Sequence, residues 1–291
     1  NVTSRTELYI CCHKFYQVPK HPLLLPIQVG TALTNIRIPG WLHDDEGENI
    51  SRLNRSYCEL TAQYWAWKNS TAEYVGFFHY RRYLYPDCTA TVAYILRDRP
   101  TNELLIKLGY EDFERIIHQY DVIVPKGENM YLSVREHYRR GQDHCAQDLA
   151  LMEKIMVEKN PDYRWAMEKY LSDSVCYFGN IYIMRRELFE DYCAWLFPLL
   201  KEFDSRAKFD GRNSQQMRAD GYLAERLFGI YLTKHQAEWT LLELPRVHFE
   251  ENRSVRWKQK LINTLLPPGS KRRYNIKKMK LYKNDLSEEI I

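Results

Sequence analysis

The residues best suited to chemistry stand at the end of an apolar run. Residues 76–84 read GFFHYRRYL, so a buried-looking strand delivers His79, Arg81 and Arg82 among tyrosines. Arginine presents a planar fork that meets two phosphate oxygens at once. The segment can therefore clamp a diphosphate, or its arginines can pair with acidic side chains of the body. Successive strand residues face opposite sides, so Arg81 and Arg82 reach one ligand together only if the strand has already ended.

Three further stretches carry polar groups at usable spacings. Residues 44–61 read DDEGENISRLNRSYCELT. There Asn49, Ser51 and Asn54 can bond a ribose, a base or a sugar hydroxyl, or cap the helix that follows. Asp44, Asp45, Glu46 and Glu48 can hold a divalent cation through oxygen, or form a solvated acidic loop. In residues 138–148, YRRGQDHCAQD, His144 and Asp148 are four apart, so a helix would put them on one face. They can orient an acceptor hydroxyl, or serve in caps and ion pairs. In residues 218–228, RADGYLAERLF, Glu225 can take the proton of an attacking hydroxyl, or pair with Arg226. No Ser-His-Asp order, Gly-rich phosphate loop or HExxH stretch is present. A hydrolase with two carboxylates needs no local motif and stays open.

An alternation of strands and helices must position these groups. Residues 7–12 (ELYICC) read as a first strand, with His13 and Lys14 at its end. Pro19, Pro22 and Pro26 then predict a loop. Residues 51–69 predict one helix, with Tyr57, Leu60, Tyr64 and Trp67 at helical spacing. Strands are expected at 74–78, 121–125, 175–184 and 241–249, and helices at 103–120, 145–159, 161–171, 186–203 and 215–233. This order predicts an α/β layer structure with a mainly parallel sheet. Ligands of such sheets sit beyond the carboxyl ends of strands. That rule selects His13 with Lys14, the run 79–82, and the loop after Pro125.

Composition narrows the class. The 291 residues, 45% hydrophobic and 27% charged, suit one large or two modest soluble domains. Aromatics reach 14%, which serves sugar and base stacking as well as plain cores. The net charge of +4 hides an asymmetry: residues 255–283 hold ten Lys or Arg and no Asp or Glu. A basic tail (255–291) thus follows an acidic body (1–254). Such a tail suits an anionic lipid surface, nucleic acid or plain solvent. No recognised nucleic-acid motif accompanies it, so specific nucleic-acid binding is not expected. Seven cysteines without a CxxC pair give zinc no local support and suit a reducing compartment. Asn-x-Ser/Thr triplets at Asn1, Asn49, Asn54, Asn69 and Asn252 matter only in a secreted chain. No run of about 18 apolar residues could span a bilayer. The chain starts at Asn, and a trimmed leader or anchor stays open.

The segments IQVGTAL, ENIS, NRSYCELTAQYWAWKN and GFFHYRRYL are followed by DVIVPK, GNIYIM with ELFEDYCAWLF, and GYLAERLF. In this order they resemble a bacterial family of capsular, exopolysaccharide and O-antigen glycosyltransferases, some of them galactofuranosyltransferases. The likeness spans about residues 7–249, and CELTAQYWAWKN is its most specific part. It implies a GT-A-like fold: one nucleotide-binding α/β domain, helices on both faces of its sheet, and an acceptor site in its second half. It also implies a UDP-linked sugar donor, a glycan or lipid-linked acceptor, and work at the inner face of the cytoplasmic membrane. On this sequence His13, Lys14, Asn49 and Asn54 would lie near the nucleotide, and His79, Arg81 and Arg82 near the diphosphate. Asn180 and Glu225 would lie near the acceptor and the reacting carbon, and His144, named above from its spacing, is the further acceptor candidate. Glu225 or Asp148 would be the base of an inverting transfer.

Many GT-A enzymes hold Mn or Mg on the diphosphate with Asp-x-Asp. Here His79-Tyr80-Arg81 fills that place, so arginine charge is expected to replace the metal. Asp44, Asp45 and Asp121 are the alternative Mn or Mg ligands. In the tail, Lys258, Lys260, Lys271, Arg272 and Arg273 surround Trp257, Leu261-Ile262 and Leu265-Leu266. An amphipathic basic segment of this kind predicts peripheral membrane association. The competing readings are a lectin-like module without catalysis and a nucleic-acid-binding protein.

Overall fold

The computed structural model describes residues 6–276. The Asn1 triplet and the tail beyond residue 276 lie outside the described residues. The strands are β1 (Thr6–Cys12), β2 (Leu24–Gln28), β3 (Leu42–His43), β4 (Tyr74–His79), β5 (Arg82–Leu84), β6 (Tyr94–Arg97), β7 (Val122–Pro125), β8 (Glu128–Asn129), β9 (Val175–Cys176), β10 (Tyr182–Arg185), β11 (Leu241–Leu244) and β12 (Arg246–Phe249). The main row of the sheet runs β11-β7-β10-β4-β1-β2-β3. β1 is parallel to both β2 and β4, β2 to β3, and β7 to β11. β10 runs antiparallel between β4 and β7. This is the mainly parallel α/β sheet that the alternation of elements predicts. β12 bridges β5 and β6 beside it, and β5 rejoins β4 at His79.

The sequence of β1 explains why the sheet is covered on both sides. Leu8, Ile10 and Cys12 face one way, Tyr9 and Cys11 the other, and all five are buried. A strand buried on both faces reads as a continuous apolar run rather than an alternating one. The Leu8 face joins Phe78, Ile183, Phe113 and Ile117 under α3 (Asn102–Lys107) and α4 (Phe113–Ile117). The Tyr9 face joins Phe77, Tyr182, Leu196, Leu223 and Phe228. It packs under α2 (Leu60–Asn69), α5 (Val134–Arg139), α6 (Ala146–Lys159), α7 (Arg164–Ser172), α8 (Arg186–Arg206) and α9 (Ala219–His235).

Several expected elements are cut, each at an identifiable residue. The helix expected at 51–69 divides into a 3-10 turn, the short α1 (Asn54–Tyr57) and α2, because Cys58 adopts a left-handed φ of 52°. The one at 103–120 breaks at Gly109, φ 83°. The strand expected at 175–184 is two strands: β9 pairs with β8 in a separate ribbon, and β10 enters the main sheet. Gly179 (φ 95°) and Asn180 (φ 50°) make the turn between them. Residues 241–249 divide at Pro245 into β11 and β12. The prolines that predict a loop leave room for β2, which includes Pro26. β3 pairs only with Ile27 and Gln28, so Pro26 lies where β2 has no second neighbour to miss its N–H.

The start of the basic tail is ordered against the body. Asn252 caps α10 (Arg253–Leu265), its side chain accepting the N–H groups of Ser254 and Val255. The Tyr94 hydroxyl of β6 donates to Asn263 Oδ1 at 3.3 Å. No residue of α10 is buried. Trp257 is 66% exposed, Leu261 56% and Leu265 62%, a stripe at i, i+4 and i+8. Among the described residues no helix is long and apolar enough to cross a membrane. The seven cysteines are all unpaired.

Candidate active site

A cavity of about 970 Å³ opens beyond the carboxyl ends of β1 and β4. One wall is a tight hairpin. β4 ends at His79, Tyr80 and Arg81 make the turn, and Arg82 opens β5 opposite His79. Directly paired residues project to the same side of a sheet. His79 and Arg82 accordingly both line the cavity, whereas Arg81 lies over the Tyr80 ring and lines a separate recess with Tyr16 and Glu250. The two arginines grouped by the sequence are thus parted by the turn.

Burial, and then the charges of Arg82 and His13, push the His79 pKa down to about 3, so the ring is neutral at physiological pH. Its Nδ1 accepts the Arg81 N–H at 3.3 Å. That bond assigns the remaining proton to Nε2, which becomes a donor. A second guanidinium, that of Arg218, comes from the 3-10 turn before α9, its Nε donating to Cys58 Sγ at 3.3 Å. Arg82 and Arg218 both line the cavity, and among the described residues neither forms an ion pair with a carboxylate.

Of the residues expected at the nucleotide, the structure brings His13 and Asn54 to the cavity and leaves Lys14 and Asn49 outside it. His13 stands edge-on to Tyr80 at 5.3 Å. Burial, with Lys14, Arg81 and Arg218 nearby, lowers its pKa. Asn54 Nδ2 donates to Cys58 O at 2.7 Å and Thr61 Oγ1 at 3.1 Å. A Cβ on Gly30 would come within 2.6 Å of Asn54 Oδ1, so the chain passes Asn54 as glycine, with φ 69°. Lys14 turns onto the Tyr16 ring at 5.4 Å. Asn49 ties the acidic loop together, donating to Asp45 O and Gly47 O while accepting the Ser51 N–H.

The opposite wall joins α9 to the turn at 179–180. Glu225 lines the cavity with Oε1 accepting the Gly179 N–H at 2.7 Å and Oε2 paired with buried Arg226 at 2.7 Å. Asn180 is buried behind the wall, its Nδ2 donating to Glu59 Oε1 at 2.7 Å and Gly221 O at 3.0 Å. Glu59 itself lines the cavity. Cys58 and Asn180, both non-glycine at positive φ, each cost about 1–3 kcal/mol of backbone strain. The strain at Cys58 ends α1 and turns the chain so that Glu59 faces the cavity.

Two expected residues belong to the scaffold instead. Asp148 is 3% exposed, with both oxygens on the Arg212 guanidinium at 2.7 Å. This fork-to-fork pair ties Asp148 to the scaffold, and Asp148 does not line the cavity, so it does not meet an acceptor there. His144 precedes α6 rather than sharing its face with Asp148. It stacks on Tyr138 at 4.3 Å with Nδ1 donating to Tyr138 O, and lies behind Tyr222, whose ring lines the cavity. Burial and Arg226 push its pKa down to about 4.

The three alternative metal ligands are engaged elsewhere. Asp44 accepts from Gly30 N, Thr31 N, Ser51 Oγ and Thr61 Oγ1. Asp45 pairs with Arg37 at 2.6 Å. Asp121 precedes β7 and is held by Thr240 and Arg185. None lines the cavity. The loop after Pro125, chosen by the strand-end rule, leads to Glu128, which is ion-paired to buried Arg246.

The sequence reading missed Glu59, Cys58 and Arg218. Treating 51–69 as one helix put Glu59 on an ordinary helix face. A usable signal was there: Glu59 is the one charged residue between Arg55 and Lys68.

The family model described as Domain of unknown function (DUF4422) matches residues 7–236. The chain belongs to the DUF4422 family. Every cavity residue named above lies within that span, including Glu225. Among solved structures, the DUF4422 chain is similar to the WbbM bifunctional glycosyltransferase in its apo form, with 32% identity and a TM-score of 0.80. The likeness covers 84% of this chain and 45% of that one, so the chain spans less than half the length of its solved relative. No curated protein matches it. At this identity and overlap the two share the α/β fold with its mainly parallel sheet.

Proposed function

We propose that the protein transfers a glycosyl group from a nucleoside diphosphate sugar to a hydroxyl of a glycan acceptor. The observation that carries this reading is the convergence of Arg82, Arg218 and the neutral His79 ring on one cavity at the strand ends. Donors fixed in advance around a developing charge stabilise a leaving diphosphate without reorganising. The WbbM likeness supports the same reaction class. In the reaction the acceptor oxygen attacks the anomeric carbon, and the bond from that carbon to the diphosphate oxygen breaks. The electron pair leaves with the nucleoside diphosphate, and the acceptor's proton passes to a carboxylate. Glu225 and Glu59 are the carboxylates that line the cavity.

The finer assignment follows the sequence resemblance. The donor is a UDP-sugar carrying galactofuranose or another hexose, transfer is inverting, and the acceptor is a growing, lipid-linked surface polysaccharide at the inner face of the cytoplasmic membrane. Arginine charge takes the place of a metal on the diphosphate. Turnover should therefore survive excess EDTA, and full loss restored by manganese would contradict that point. The exposed stripe of α10, with its basic flanks, suits an anionic bilayer surface. The protein should cosediment with vesicles containing anionic lipid, and Trp257→Ser with Leu261→Ser should abolish it; unchanged partitioning would remove the membrane assignment.

The test of the central reading is calorimetric titration with UDP, GDP, CMP and TDP sugars. Binding of one class, with transfer to a sugar hydroxyl, supports it. Absence of affinity for all four contradicts it, and sugar binding without nucleotide binding would favour a lectin-like module.

A further inference from the structure

We propose that Glu59 is the base that receives the acceptor's proton, and that Glu225 positions the site without taking it. This rests on the transferase reading above and assigns a residue that the sequence passed over.

The two carboxylates differ in what they already hold. Glu225 has both oxygens engaged, one by the Gly179 N–H and one by Arg226. A proton arriving on Glu225 would break its pairing with Arg226 and leave a buried guanidinium without its counter-charge. The partner of Glu59 is a neutral amide, Asn180 Nδ2. Protonating Glu59 breaks no ion pair. The same two-residue turn holds both groups: Gly179 grips Glu225 through its backbone and Asn180 grips Glu59 through its side chain. Asn180 is fixed in turn by donation to Gly221 O and by accepting Gln63 Nε2 at its own carbonyl. Strained backbone at Cys58 and Asn180 therefore sets the placement of Glu59 from both sides.

The electrostatic setting agrees. Burial raises the Glu59 pKa above the ordinary carboxylate value, and the charge of Glu225 adds to it, while Asn180 and Arg218 oppose. The charged and titratable groups facing Glu59 are Glu225 on α9, Arg218 before α9, Arg82 on β5, and the thiols of Cys58 and Cys11. Burial pushes the Cys58 thiol up to about 12, so it stays neutral and does not compete for the proton. A base whose pKa is raised toward the working pH accepts a proton more readily in the transition state.

The acceptor O–H proton moves to a Glu59 oxygen as the acceptor oxygen bonds to the anomeric carbon. The carbon–oxygen bond to the diphosphate breaks, its electron pair departing on the nucleoside diphosphate toward Arg82 and Arg218. Solvent then removes the proton from Glu59 before the next cycle.

The experiment measures kcat, KM and the pH dependence of kcat/KM for Glu59→Gln, Glu59→Asp and Glu225→Gln, with UDP-galactofuranose as donor and an octyl galactoside as acceptor. Binding of UDP is measured on the same samples. Glu59→Gln should lose about 100- to 10,000-fold in kcat, keep its UDP affinity within about threefold, and lose the acid limb of the profile. That limb arises because Glu59 must be deprotonated to act, so activity falls as pH drops through its raised pKa. Glu59→Asp should recover part of the rate together with the limb, which a merely structural role would not restore. A Glu59→Gln variant that turns over within about threefold of wild type, or keeps the acid limb, overturns the assignment. So does a Glu225→Gln variant that alone abolishes the limb. A wild-type protein that binds no sugar nucleotide would contradict the transferase reading itself, whereas wild-type turnover beside an undiminished Glu59→Gln contradicts Glu59 alone.

Discussion

Adjacent arginines with opposite fates make the sharpest test of the site. Arg82 faces the cavity across from His79, and Arg81 lies outside it against Tyr80. A charge-assisted hydrogen bond contributes about 1.5–3 kcal/mol, so losing a two-pronged grip on a diphosphate should cost about 3 kcal/mol. At about 1.4 kcal/mol per decade, that is roughly a 100-fold rise in Kd. The surroundings favour the upper part of this range. Burial lowers the Arg82 pKa and the neighbouring Arg246 lowers it further, so an arriving anion relieves an existing penalty. The assay is calorimetric titration with UDP at fixed salt, on Arg82→Ala, Arg82→Lys and Arg81→Ala. Arg82→Ala should weaken binding about 100-fold, Arg82→Lys should recover part of the loss, and Arg81→Ala should stay within about threefold of wild type. The reasoning is refuted if Arg81→Ala costs as much as Arg82→Ala, because the hairpin geometry would then not decide which arginine meets the ligand.

Asp148→Asn should destabilise the fold by about 3 kcal/mol, since it leaves Arg212 buried without its carboxylate; urea unfolding reads the loss, and an unchanged UDP affinity would show that Asp148 is scaffold. Burial depresses His79, His144 and His248 to pKa values of about 3, 4 and 2. Their folded values lie below the unfolded value of about 6.5, so the stability they contribute is present above that pH and lost as pH falls through their folded values. Unfolding free energy should decline from pH 6.5 toward pH 4, partly offset by the raised carboxyls of Glu59, Asp148, Asp204 and Asp220; a flat profile to pH 4.5 would contradict the neutral-histidine assignment. A leucine at Gly229 would meet the Tyr170 ring, since even a Cβ there falls 1.9 Å from Tyr170 Cζ. Gly229→Leu should therefore fail to yield folded protein by circular dichroism, and a native-like melt would contradict the packing of α7 on α9.

Much of the fold was legible because burial leaves a simple trace. ELYICC and YVGFF are covered on both faces, so both read as strands without ambiguity. The expectation that ligands gather at the strand ends selected His13, His79 and Arg82 together. What periodicity could not show were the places where backbone leaves its regular state. Nothing in the type of Cys58 announces a positive φ, and Asn180, although of a type that tolerates one, stands inside an apolar run that reads as continuous strand. Those two positions decide where Glu59 points, and a single helix over residues 51–69 would hide it. Asp148 failed for a different reason: its partner Arg212 is 64 residues away and pairs with it only in the folded chain. The arginine pair shows the limit of local reading. Alternation correctly says that neighbours diverge, but which one faces the cavity is fixed by the register of β5 against β4.

The most direct test of the account is a crystal structure of the protein with UDP bound. The expected result places the diphosphate in the cavity beside β1 and β4, its oxygens within hydrogen-bond distance of Arg82. A diphosphate bound elsewhere, with Arg82 and Arg218 out of reach, would contradict the claim on which the mechanism depends.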